Sequence, residues 1–145
     1  MAFQFPLATV LRLRESIERR EERALKKIQM EMAGASRQIE ELDAAIARAQ
    51  RERDGALREP MPASHLQAML AQTALTIEGR KTLQATLRGL EEQRLKQLKV
   101  YQAAHRDHEM LIEMRKQQRN AYLLEQERME QKYLDDIFIA RRHRS

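Results

Sequence analysis

"DGALREPMPAS", residues 54–64, is where the helix breakers of this sequence cluster: Gly55, Pro60 and Pro62 fall within eight residues. A proline has no backbone N–H, and its ring disfavours helical backbone at the residue before it. The stretch divides the chain, and both sides of it read as helix. Ser64 followed by Gln67 fits a capping box, in which each side chain caps a free backbone N–H of the first turn. The second helix is therefore expected to restart at His65. Pro6 is a favourable first-turn residue for the first. The expected layout is one domain over 1–145: a helix over about 6–58, a turn over about 59–64 and a helix over about 65–141.

Upstream of the turn, Leu25, Ile28, Met32, Ala35, Ile39, Leu42, Ile46 and Ala49 recur at alternating spacings of three and four. That is the seam of a coiled coil. Val10, Leu13, Ile17 and Ala24 continue it toward the N-terminus, with an expected register slip near Glu21. Downstream, Leu83, Leu87, Leu90, Leu98, Tyr101, His105, His108, Ile112, Tyr122, Met129 and Tyr133 follow a looser version, which Arg94, Arg115, Arg119 and Gln126 interrupt. Two amphipathic helices joined by a turn fold back on each other. The expected fold is all-α, a long antiparallel two-helix coiled-coil hairpin. At 1.5 Å per residue the helices would be about 80 and about 115 Å long. Residues beyond about 118 are then left without a partner in the chain. This overhanging C-terminal helix carries Tyr122, Leu123, Leu124, Met129, Tyr133, Leu134, Ile137, Phe138 and Ile139, and exposed apolar surface of that kind marks an interaction site.

Composition supports the same reading. Charged residues make up 34% of the 145 and aromatic ones 4%, a balance typical of long helices and short of what a pocketed enzyme core needs. Cysteine is absent, so disulfides and thiolate chemistry are excluded; this suits the cytosol. No apolar run reaches the eighteen or so residues of a membrane span, and the apolar opening lacks the basic start and cleavage site of a signal peptide. The net charge of +5 is spread among interspersed signs, and Arg141, Arg142 and Arg144 supply most of the excess. A nucleic-acid binder would show a one-signed stripe with stacking aromatics, so no nucleic-acid partner and no direct membrane insertion are expected.

Catalytic signatures are missing. There is no glycine-rich phosphate loop, nucleophile elbow or HExxH. Glu40–Glu41 and Asp135–Asp136 read as solvated helix faces. "HRDHE" puts His105, His108 and Glu109 on one helix face, where three ligands could hold a divalent metal. No second ligand cluster accompanies them, and the expectation is no metal, no cofactor and no enzymatic activity.

The two ends carry a resemblance. "FQFPLATVLRLRE" and "ERMEQKYLDD" resemble the FliJ family of bacterial flagellar export proteins through Phe3, Phe5, Leu7, Val10, Leu11, Arg12 and Arg14, and through Glu130, Gln131, Lys132, Asp135 and Asp136. The family implies a non-enzymatic, cytoplasmic stalk at the inner membrane of the flagellar base. Its terminal end would enter the hexameric export ATPase ring and promote ring assembly. The resemblance places that contact at Phe3, Phe5, Tyr122, Met129, Gln131, Tyr133, Asp135, Ile137 and Phe138. It also implies contact with the cytoplasmic domain of the export gate, through Met69, Leu70 and Ile77, and binding of export chaperones. Two other readings stand beside this one: the equivalent stalk of a virulence-type secretion system, and a self-assembling coiled-coil scaffold.

Overall fold

A proline opens the first helix and a proline opens the second. In the computed structural model, which describes residues 2–144, the Phe5 carbonyl accepts the Ala8 N–H at 3.1 Å and the Leu7 carbonyl accepts the Leu11 N–H at 2.8 Å. Pro6 thus sits in the initiating turn, and α1 runs over Ala8–Ala56, starting two residues later than expected. Its end tightens: the Gly55 and Ala56 carbonyls accept from Arg58 and Glu59 at 3.4 and 3.3 Å. The Pro62 carbonyl then takes both the His65 and the Leu66 N–H, at 3.1 and 3.3 Å. It starts α2, Ala63–Arg144, two residues ahead of the expected restart. Ser64 lies inside the first turn. A proline cannot donate, but its carbonyl and fixed φ suit the residue that launches a helix.

The helices, 49 and 82 residues long, pack against each other as a hairpin. The described residues contain no strand. Their contacts form two units, Glu22–Val100 and Met1–Glu21 with Tyr101–Ser145.

In the unit Glu22–Val100 the seam is a strict heptad. On α1 it consists of Leu25, Ile28, Met32, Ala35, Ile39, Leu42, Ile46, Ala49, Arg53 and Ala56, all buried or half-buried. On α2 it consists of Leu66, Met69, Thr73, Thr76, Arg80, Leu83, Leu87, Leu90, Arg94 and Gln97. Arg94 therefore occupies a seam position; it does not interrupt one. Its guanidinium reaches Glu91 on its own helix at 2.6 Å, while Arg80 Nε lies 2.7 Å from Asp43 Oδ1 across the hairpin. A long stem can line the seam while its charged head leaves it.

The other unit shows the same spacing, with Leu11, Arg14, Glu18 and Glu21 on α1 and Tyr101, Ala104, His108 and Leu111 on α2. The expected slip near Glu21 is absent. Val10 and Leu13 are exposed, and the seam passes instead through Leu11 and Glu18. On α2, Ala104 and Leu111 are the inward residues, and His105 and Ile112 stand beside them on the exposed side. A seam inferred from apolar residues alone drifts onto the neighbouring face wherever the inward residue is polar.

None of the glycines has positive φ, so each costs helix stability without supplying a turn. A Cβ on Gly89 would meet nothing within 4 Å. Gly89→Ala is expected to raise the unfolding free energy by about 1 kcal/mol, read as a higher midpoint in urea with unchanged slope.

Candidate partner-binding surface

The surface in question begins where α2 runs out of partner. Residues 2–5 precede α1 without helical structure, and extended chain covers about twice the length per residue that helix does. This segment carries Phe3 along α2 as far as Tyr122, where the ring centroids are 5.6 Å apart and tilted by 44°. Phe5 is buried below it. Tyr122 is thus half-buried, and the exposed end of α2 starts beyond it, a turn later than about residue 118. The expected boundary at about 118 follows from a helix that begins near Pro6 and takes no account of the extended residues before it.

From Leu123 to Arg144 every residue is exposed except Gln126 and Ile137, which are half-buried. Tyr122, Gln126, Met129, Tyr133, Ile137 and Ala140 form a stripe that advances eighteen residues in five steps. That is the 3.6-residue period of a straight helix, whereas the paired part of α2 follows the 3.5-residue period of a supercoiled one. Other apolar residues lie off this stripe. At about 100° per residue, Leu123 and Leu134 stand a third of a turn away, Leu124 and Phe138 nearly opposite, and Ile139 on the remaining side. Tyr133 and Phe138 are each 67% exposed. Apolar side chains thus project from several sides of a helix that also carries many charged residues.

The expected contact residues are thus spread over the surface in different ways. Met129, Tyr133 and Ile137 share the stripe, and Phe138 lies across the helix from it. Gln131 and Asp135 also lie across the helix from it, where Gln131 Nε2 donates to Asp135 Oδ1 at 3.1 Å. Phe3 and Phe5 form its root. In the other unit, Met69 lines a shallow groove with Ala49, Glu52, His65, Ala68, Gln72 and Thr73. Leu70 and Ile77 lie outside that groove and are exposed.

The histidine pair is organised by a residue far from it in sequence. His105 and His108 both turn their Nδ1 to Glu18 on α1, His105 at 2.9 Å and His108 in close contact. The hydrogen bond from His105 holds the Glu18 carboxyl below its ordinary value, and the same bond raises His105. Glu109 contributes only its charge. Among the described residues no group of three or more such side chains is arranged to hold a metal ion. Glu18 was invisible as a site residue because its partners lie 87 and 90 positions away.

The family model for the flagellar FliJ protein matches residues 3–145. The chain belongs to the FliJ family. Comparison with curated proteins and with solved structures gave no match. FliJ membership makes this a flagellar export-related protein, built as a helical hairpin, and it favours a non-catalytic role. No helix among the described residues is long and apolar enough to cross a membrane.

Proposed function

We propose that this FliJ-family chain is the central stalk of the flagellar export ATPase ring, promoting ring assembly and linking the ring to the export gate. The observation that carries the reading is the end of α2, which beyond Tyr122 carries exposed apolar side chains on several sides, interleaved with charged ones. A flat partner would cover one face of such a helix and leave Leu124, Phe138 and Ile139 in water. A pore formed by several subunits covers all faces at once. A helix that binds the closed ring and not its free subunits favours the closed ring by mass action. In this reading the protein works in the cytoplasm at the inner-membrane face of the flagellar base. The Met69 groove with Leu70 and Ile77 serves the gate, and export chaperones bind elsewhere on the hairpin.

The test is ATP turnover by the purified export ATPase at several enzyme concentrations, with and without the stalk. Tyr133→Ala and Ile137→Ala are expected to weaken the stimulation, each raising the half-maximal stalk concentration by about tenfold or more. Glu125→Ala should do less. Stimulation insensitive to all three would place the ATPase contact on the paired part of the hairpin. Sedimentation of the stalk alone decides whether the exposed helix is covered by a second copy instead.

A further inference from the structure

Glu18 differs from the carboxylates around it in the kind of partner it has. Arg19 reaches Glu15 at 2.6 Å and Arg20 reaches Glu21 at 3.1 Å. Across the hairpin, Arg14 reaches Asp107 at 3.4 Å. Guanidinium groups keep their charge at any physiological pH, so these three pairs do not titrate near neutrality. Glu18 faces two imidazoles, His105 on Oε1 and His108 on Oε2. It occupies an inward heptad position, and its side chain and that of His108 are each only 16% exposed. His105 is backed by the Tyr101 ring, with centroids 6.0 Å apart, and by the charge of Glu109. Histidine is the side chain whose charge changes near neutral pH.

We propose that Glu18, His105 and His108 form a pH-sensitive clasp that fastens the first turns of α1 onto α2 in mild acid and loosens above neutrality. The direction follows from linkage. His105 is raised above its ordinary 6.5 by its bond to Glu18. Its contribution is complete below that ordinary value and disappears as pH climbs through the raised one. Glu18 is lowered from 4.5 by the bond from His105, with His108 adding in the same direction against the cost of burial. Its contribution is present above 4.5 and disappears as pH falls through the lowered value. The clasp is therefore tightest between those two ordinary values. A neutral imidazole can still donate one hydrogen bond, but without the charge assistance that makes such bonds strong.

The experiment is amide hydrogen exchange on the full chain at about pH 5.5 and about pH 8, each corrected for the intrinsic exchange rate. Amides of α1 between Leu11 and Glu21 are expected to open several-fold more often at the higher pH, while those around Ala35 and Leu90 change little. Glu18→Gln, and separately the double change His105→Gln with His108→Gln, should remove that difference even if they also lower protection at both pH values. A merely structural role would lower protection equally and leave any difference intact. Proton NMR supplies a second readout that does not depend on stability: the ring resonance of His105 should titrate at higher pH in the parent chain than in Glu18→Gln. Equal opening at the two pH values in the parent chain, or a His105 titration unmoved by Glu18→Gln, overturns the proposal.

Discussion

A chain ending at Gln126 is expected to melt within about 4 °C of the full-length protein and, on the proposed role, to give no stimulation of the export ATPase. The first half of the result follows from burial. Beyond Gln126 only Ile137 is even half-buried among the described residues, so deletion removes helix that contributes almost nothing to the hairpin. Keeping Tyr122 and Gln126 matters, because Phe3 packs on the Tyr122 ring; a cut before Tyr122 would uncover the N-terminal segment and confuse folding with function. The second half follows from the proposed role, in which the removed helix is the part that the ring encloses. Circular dichroism should show a loss of helical signal in proportion to the deleted residues, with the same cooperative transition. A truncated chain that still stimulates the ATPase would move the contact to the hairpin, and one that fails to fold would mean that the exposed helix has a partner in the chain.

Leu90→Asp is expected to cost on the order of 3–4 kcal/mol, lowering the melting temperature by more than about 10 °C. Leu90 is 8% exposed and lies at the centre of its heptad seam, whereas Leu95, 48% exposed, points away from it. An aspartate at 90 loses the leucine contacts and must either stay charged in an apolar layer or protonate. Leu95→Asp should cost only the difference in helix propensity, about 0.5 kcal/mol. The pair tests the register: thermal unfolding that is equally affected by both changes would mean that a different face of α2 is inward.

Much of this architecture was legible because its signals are local. Two prolines and a glycine announce the turn within eleven residues, and apolar spacing between Leu25 and Ala49 announces the seam. The places where the reading failed are those where an inward residue is polar and its partner is distant. Glu18 sits between Leu11 and Leu25 at the heptad spacing, but a carboxylate is discounted as a seam residue unless His105 and His108 are known to face it. The same discount made Arg94 look like a break and pushed the seam onto Val10 and Leu13. The exposed end of α2 was legible from mismatched helix lengths. Its starting point was not, because residues 2–5, which precede the helix, carry Phe3 on to Tyr122. The residues proposed for the gate were least legible: Met69 differs from Leu70 by one position, yet about 100° of rotation leaves Met69 half-buried and Leu70 exposed.

Arg80, Arg94 and His108 recur on α2 at intervals of fourteen residues, always at the same heptad position. Within the hairpin each has an acidic partner: Asp43 for Arg80, Glu91 for Arg94 and Glu18 for His108. Suppose instead that the second helices of two chains zipped together, parallel and in register. Arginine would then meet arginine at two layers, with like charges juxtaposed inside a seam, and imidazole would meet imidazole at a third. The polar residues in this seam thereby penalise a parallel, in-register pairing of two α2 helices. Copies made side by side are thereby steered away from that one pairing of their second helices.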